Sequence, residues 1–211
     1  MTPAGLYRWA GYAGVASAIL LVVGNSLHPA SLTVGNRGVW ELVHELLFCS
    51  IVLAIPVLFA IYTRQARETG ALGFWGFVLA FIGTMGFAGI VWYEGFVSPA
   101  LVNDAAVFAA VQRLETGQTP SMIMPFLLVT VITFALGWLL LGWATARAGV
   151  VPRLAAYLAL VGGLFFGLGP VVFASAQILD KLAGAIFGIG LLWLSWSLTI
   201  ERRMMMAASP S

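Results

Sequence analysis

Six apolar stretches, each about 20 residues long, fill most of this 211-residue chain. A helix needs about 20 predominantly apolar residues to cross the roughly 30 Å hydrocarbon core of a bilayer. Only 9% of the residues are charged, whereas a soluble domain carries about 25%. The stretches are continuous, whereas the strands of a membrane barrel alternate apolar and polar residues. We therefore predict an all-α polytopic membrane protein, one six-helix transmembrane bundle over residues 1–211, with helices at 9–27, 42–62, 72–93, 122–144, 154–175 and 182–200.

The charged residues sort to opposite ends of these helices. Cytoplasmic loops of membrane proteins are enriched in Lys and Arg, and one end of the predicted bundle holds Arg8, Arg64, Arg67, Arg147, Arg153, Arg202 and Arg203. The other end holds only Arg37, Arg113 and Lys181. We therefore predict that both termini are cytoplasmic and that the protein is a multi-pass protein of the cell inner (plasma) membrane. The basic residues are scattered among short loops, so we expect no nucleic-acid partner.

The longest loop of the outer end carries the pattern of a short amphipathic helix at 104–116. Asn103 or Asp104 is a favourable N-cap residue, and Gly117 is a favourable residue just beyond the C-terminal end. Between them, Val107, Phe108, Val111 and Leu114 fall on one face, which is typical of a helix lying in the membrane interface. Such a helix is either a lid over an outward-facing site or a connector that rests on the lipid.

Both histidines and most of the acidic residues fall at the outer end. Spacings of three and four residues place Glu41, His44 and Glu45 on one face of the second helix. His28 and Glu94 fall at the same depth on the first and third helices. If those three helices are neighbours, we expect His28, His44, Glu45 and Glu94 to converge. Candidate ligand-binding residues at the same level are Asn25, Trp40, Trp92, Tyr93, Gln177 and Asp180.

This cluster is compatible with three functions. In the first, the bundle binds or transforms a small lipophilic molecule, and Glu41, His44, Glu45 and Glu94 act as acids, bases or hydrogen-bonding groups. In the second, it holds a cofactor: a transition metal on His28, His44, Glu45 and Glu94, or a haem between His28 and His44. In the third, the protein is a non-catalytic subunit or scaffold, whose charges are merely solvated at the interface.

One segment resembles a known group of proteins. The stretch from Leu141 through Arg147-Ala-Gly149 and Pro152-Arg153 to Gly162 resembles a tight cytoplasmic turn in bacterial six-helix inner-membrane proteins of unknown function. The resemblance implies a bacterial inner-membrane protein and carries no catalytic residues over. The pairs Trp40-Glu41 and Tyr93-Glu94 resemble acidic positions of small membrane-bound terpene cyclases, which implies a lipophilic substrate.

Overall fold

The computed structural model describes residues 3–172 and 176–207, and within them the ordered elements are all helical, with no strand. This confirms the all-α prediction. Between the first two helices lies a 3₁₀ turn, Val34–Asn36, and after the third helix comes a π-helical turn, Tyr93–Val97. The α-helices are α1 (Pro3–Leu27), α2 (Arg37–Arg64), α3 (Ala66–Trp92), α4 (Ser98–Leu101), α5 (Ala105–Glu115), α6 (Ile123–Ala148), α7 (Arg153–Val172) and α8 (Gln177–Ala207).

The six long helices form a closed ring. Each of them packs on two others, in the order α1, α2, α3, α6, α7, α8 and back to α1. The first and last helices of the chain are therefore neighbours, and α1, α2 and α3 follow one another around the ring. The adjacency on which the predicted cluster depends is thus present.

Five helical stretches are long and apolar enough to cross a membrane: Gly5–Leu27, Val34–Arg64, Ala66–Leu101, Ile123–Ala148 and Gln177–Ile200. These make the chain a membrane protein. The corresponding stretch of α7, Arg153–Gly169, is apolar but shorter, so a sixth span is not established by length and composition. The final residues of the fifth predicted helix, 173–175, lie outside the described residues.

The predicted helix limits differ from the observed ones chiefly at the ends of α2 and α3. The α2 helix begins at Arg37, five residues before the predicted start, because the polar turn Arg37–Glu41 is itself helical and carries an ion pair. At the start of α3, Gly70 adopts φ 56° and ψ −148°, which breaks the helix just before the predicted start at residue 72. Glycine is the residue that tolerates this conformation without strain.

Small residues allow the ring to close tightly. A Cβ atom on Gly83 of α3 would overlap the backbone of Phe134 on α6, and one on Gly137 of α6 would overlap Ala80. Helix association in lipid depends on such close packing, because apolar burial supplies no driving force between helices there. The glycine and alanine spacings in this sequence therefore serve contacts within the chain.

A short helix, α5, is present where the outer loop predicts one. Asp104 caps it, and its Oδ1 accepts hydrogen bonds from the backbone N–H groups of Ala106 and Val107 at 3.1 Å each. Gly117 follows with φ 73°. Phe108 packs on a small apolar cluster of Leu32, Trp40 and Val102, so α5 is fixed to the end of the bundle that holds His28 and His44, referred to below as the histidine end.

Candidate functional site

The ring encloses a cavity of about 320 Å³ at the histidine end (the histidine cavity). Every one of the six long helices, or the turn next to it, contributes to its wall. The polar side chains of the wall are those of Asn25, His28, His44, Glu94, Gln177 and Asp180. Its apolar side chains are those of Leu47, Phe87, Ile90, Val91, Leu127 and Phe166, with Pro29, Ala30 and Gly169 completing the wall.

His44 lies at the back of the cavity and is fully buried. Its Nδ1 is 2.8 Å from the carbonyl oxygen of Trp40, one helical turn earlier, and because a carbonyl only accepts, Nδ1 carries the proton. The Trp40 ring stacks on the imidazole at a centroid distance of 4.5 Å. These two contacts fix both the tautomer and the orientation of His44, so that its Nε2 faces the cavity.

Glu94 is presented by the π-helical turn that follows α3. Its Oε2 lies 3.1 Å from His44 Nε2, and its backbone carbonyl accepts a 2.8 Å hydrogen bond from the Trp40 indole. A Cβ on the next residue, Gly95, would lie 2.8 Å from His44 Cβ, so only glycine permits this approach of the turn to α2. Single π-helical turns inside α-helices occur frequently at functional sites.

His28 completes a chain of three titratable groups. Its Nε2 lies 3.4 Å from His44 Nε2, and its Nδ1 lies 2.7 Å from the carbonyl oxygen of Pro29. As in His44, Nδ1 is therefore the protonated nitrogen and Nε2 faces the neighbour. Burial, and secondarily the neighbouring His44 ring, lower the pKa of His28 below its ordinary value of 6.5.

The opposite wall comes from α1 and α8. Asn25 is buried, and its Nδ2 donates to the carbonyl oxygens of Asp180 at 3.4 Å and Lys181 at 3.3 Å. Gln177 Nε2 donates to the carbonyl oxygen of His28 at 2.9 Å. These bonds join the first helix to the last and hold His28 in place.

A second opening adjoins the histidine cavity. This lateral cleft between α3 and α6 has a volume of about 540 Å³. Its walls are Gly89, Ile90, Tyr93, Glu94, Glu115, Met122, Ile123, Phe126 and Leu127. Three of these residues, Ile90, Glu94 and Leu127, also line the histidine cavity, so the two spaces are neighbours. Burial raises the pKa of the Glu115 carboxyl of α5 above its ordinary value of 4.5, and the neighbouring Tyr93 side chain partly opposes this shift.

Several residues predicted for the site lie elsewhere. Glu41 forms an ion pair with Arg37 at 2.8 Å, Glu45 is exposed, and neither lines the cavity. Trp92 is 49% exposed and packs on Phe96 outside the cavity. Tyr93 lines the lateral cleft instead, and Trp40 supports His44 from behind. The reason for the misplaced carboxylates is angular: Glu41 and Glu45 each lie one residue, about 100°, beyond Trp40 and His44.

The sequence contained a signal that separates these residues. Trp40, Val43, His44 and Leu47 recur at spacings of three and four, and all four are buried. This apolar stripe includes His44 and excludes both neighbouring glutamates. Sequence reasoning missed the apolar walls of the cavity from α6 and α7, and it missed Glu115, because adjacency in the ring cannot be read from hydropathy. The position of Glu115 at the end of an amphipathic helix, one residue after Leu114, was the available clue.

The geometry bears on both cofactor alternatives. As the side chains lie, no group of three or more His, Cys, Asp or Glu residues in the described part of the chain could hold a metal ion. A haem bound by two axial histidines needs room for the porphyrin between the two imidazole rings. The rings of His28 and His44 contact each other directly, with centroids 4.9 Å apart, so this pair does not fit a haem held between them.

No protein-family model, no curated protein and no solved structure matches this chain.

Proposed function

We propose that this protein binds, and by proton exchange transforms, a small lipophilic molecule in the histidine cavity. The observation that carries this proposal is the row His28 Nε2, His44 Nε2 and Glu94 Oε2, with separations of 3.4 and 3.1 Å. Both Nδ1 atoms already donate to carbonyls, so all three facing atoms are acceptors unless a proton lies among them. The row therefore holds a proton that a ligand can take or return.

The atoms that meet the ligand are those of Glu94 and His28. The Glu94 side chain is 40% exposed whereas His44 is fully buried, so His44 connects the other two and keeps the proton between them. A positioned acid or base contributes a rate factor of about 10²–10⁴. The floor of the cavity, formed by Leu47, Phe87 and Phe166, supports a lipophilic ligand.

The proposal includes the membrane topology. We assign α7 as a sixth span because it occupies one of six equivalent places in the ring. We place the Arg-rich ends, and with them both termini, in the cytoplasm of a bacterial inner membrane, by the distribution of Lys and Arg. The histidine cavity then faces outward, with α5 beside it in the outer interface.

Labelling of intact cells with a membrane-impermeant maleimide tests this topology in a Cys49→Ala background. Thr116→Cys and Ala176→Cys should react, whereas Arg67→Cys and Val150→Cys should react only after lysis. Equal reaction of Val150→Cys and Ala176→Cys would show that α7 does not cross the membrane.

Identification of the co-purifying molecule tests the function. The full chain is purified in mild detergent, extracted with organic solvent, and the extract is analysed by mass spectrometry. A small lipophilic compound should be enriched with the wild type and lost from Glu94→Gln, which preserves shape but removes the charge. Glu45→Gln is the matched control, because Glu45 is exposed on the neighbouring face; equal extracts from the two variants would contradict the proposal.

A metal ion is the second candidate, because both histidines present a bare Nε2 whose partner nitrogen donates to a carbonyl. That arrangement is the usual one for metal-binding histidines, although Glu94 or His28 would have to move for a third ligand to join. Elemental analysis of protein purified without chelators tests it: near-stoichiometric zinc, iron or copper, lost on His44→Ala, would favour a metal site. Trace metal would remove this candidate.

A further inference from the structure

The histidine cavity has an unusual hydrogen-bonding character that narrows the class of ligand. Asn25 uses both of its N–H groups on the backbone carbonyls of Asp180 and Lys181, so only its side-chain oxygen remains for a ligand. Gln177 uses one N–H group on the carbonyl of His28 and keeps its other N–H group and its side-chain oxygen.

The titratable side chains of the wall have the same character. His28 and His44 use their Nδ1–H groups on the carbonyls of Pro29 and Trp40, which leaves Nε2 atoms with only the shared proton between them. Glu94 and Asp180 present carboxyl oxygens. Every polar side chain of the cavity wall therefore offers an acceptor to a ligand, and none of the lining residues is Lys or Arg.

The nearest basic side chain supplies charge but no donor to the cavity. The Lys181 ammonium donates to the carbonyl oxygen of Ser26 at 3.0 Å and is not part of the wall, although its charge acts on Asp180. The proton shared in the row of His28, His44 and Glu94 offsets the charge of Glu94. Desolvating the Asp180 carboxylate is costly, so the wall favours a ligand that brings positive charge and N–H donors.

The lateral cleft indicates the chemistry of the other half of the ligand. It shares Ile90, Glu94 and Leu127 with the wall of the cavity, and its other walls are largely apolar. Gly89 gives it depth: a Cβ there would meet only the Phe126 ring, at 3.9 Å. A hydrocarbon chain lying in this cleft would reach the cavity directly at Glu94.

We infer that the ligand of the proposed function is a lipophilic primary amine, with its ammonium group among the acceptors of the histidine cavity and its chain in the lateral cleft. An ammonium group carries three donors and no acceptor, which complements this wall. An amine of this kind would approach from the bilayer between α3 and α6. The inference rests on the proposed function and adds the chemical class of the ligand and its route.

Three probes with one chain length test this inference. Decylamine, decanol and decanoate are titrated by calorimetry into the full-length protein in zwitterionic lipid nanodiscs, and partition into empty nanodiscs is subtracted. Decylamine should bind at least about 10-fold more tightly than decanol, since hydrogen bonds to a charged group are stronger than those between neutral groups. Decanoate should show no saturable binding.

Two variants test separately the two parts of the inference, the charged head group and the hydrocarbon chain. Asp180→Asn keeps the shape but removes a charge, so it should reduce the preference for decylamine over decanol several-fold. Gly89→Leu fills the cleft and should weaken both probes. Gly38→Leu is its matched control, because a Cβ at Gly38 contacts nothing within 4 Å.

The outcomes separate the two proposals. If decanol binds as tightly as decylamine and both are weakened by Gly89→Leu, the amine inference falls and the lipophilic-ligand function stands. If no probe binds saturably, or binding is unchanged in both Glu94→Gln and Gly89→Leu, both fall. Zinc binding that displaces decylamine stoichiometrically would assign the acceptors to a metal and overturn the inference.

Discussion

Both ends of the ring bury polar side chains, but the two sets differ in chemistry. At the end opposite the histidine cavity, Gln65 of the α2–α3 junction and Thr145 of α6 are each 1% exposed, and Gln65 Nε2 donates to the Thr145 hydroxyl. Thr69 donates to the Gln65 carbonyl at 2.8 Å. At the histidine end, by contrast, three titratable groups face one another beside a cavity. The first set joins helices and leaves Gln65 Oε1 without a partner, whereas the second places several acceptors beside a cavity that can admit a ligand.

This comparison shows why burial of polar groups does not by itself mark a site. A buried amide that bonds to a buried hydroxyl is a structural contact, and removal of one partner costs stability. A row of acceptors with too few donors lowers the stability of the unliganded protein. A ligand that supplies the missing donors raises that stability when it binds. Stability and ligand binding should therefore respond in opposite ways to substitutions at the two ends.

The largest effect is expected for His44→Phe. Phenylalanine keeps the stacking on Trp40 but removes both ring nitrogens, so Glu94 and His28 lose the atom between them. Decylamine affinity should fall by about 10- to 100-fold, the size expected for a lost hydrogen bond to a charged group. Calorimetry in nanodiscs measures it, with Gln65→Leu as the control at the other end. Equal decylamine affinities in these two variants would contradict the claim that only the histidine end binds the ligand.

Thr145→Val should have the converse effect. It leaves Gln65 Nε2 buried without its acceptor, which should lower the free energy of unfolding by about 1–3 kcal/mol, while decylamine affinity stays unchanged. Thermal or denaturant unfolding in detergent measures the loss. The double variant Gln65→Leu/Thr145→Val removes both partners and should recover much of it. A loss of ligand binding in Thr145→Val would show that the two ends are coupled.

Acidification should destabilise the histidine end specifically. The folded protein lowers the pKa of His28 below 6.5, so the unfolded chain binds the proton first as the pH falls. The stability contributed by neutral His28 is therefore present above pH 6.5 and is lost as the pH falls from there toward the folded pKa. The Tm of the wild type should drop more than that of His28→Gln between pH 7.5 and pH 5.5. Parallel curves would contradict the lowered pKa.

The smallest effect is expected for Glu115→Gln at the lateral cleft. Glutamine keeps the shape and hydrogen-bonding capacity of the side chain beside Tyr93, and a charged carboxylate no longer has to be desolvated. We expect a small rise in the free energy of unfolding at neutral pH, within about 0.5 kcal/mol, measured by chemical unfolding. A loss larger than about 1 kcal/mol would instead show that the Glu115 charge holds α5 in place.

The sequence was sufficient for the helices but not for their order around the ring. Hydropathy located the long helices, and cap chemistry located α5 between Asp104 and Gly117, because these are local properties. The polar residues of α1 and α8 also fell at the right level, since depth follows from position along an apolar helix. The walls from Phe87, Leu127 and Phe166 could not be predicted, because they depend on which helices are neighbours.

Within α2, rotation about the helix axis decided which residues reached the site. Spacing alone places Glu41, His44 and Glu45 on one face, but the face that packs is centred on Val43 and His44, which are 0% exposed. Neither glutamate shares that face. The π-helical turn that presents Glu94 was also unpredictable, because it depends on the close contact between Gly95 and His44 across two helices.

The hydrogen bonds between α1 and α8 make the site a product of the two extremes of the chain. Asn25 and His28 are synthesised early, whereas Gln177 and Asp180 are synthesised about 150 residues later. A ribosome-bound chain that has inserted its first helices holds only part of the binding wall. Ligand binding therefore requires that the last helix has been inserted. If the chain is divided in the loop after α5, neither fragment alone should bind the ligand, and the two co-expressed fragments together should bind it.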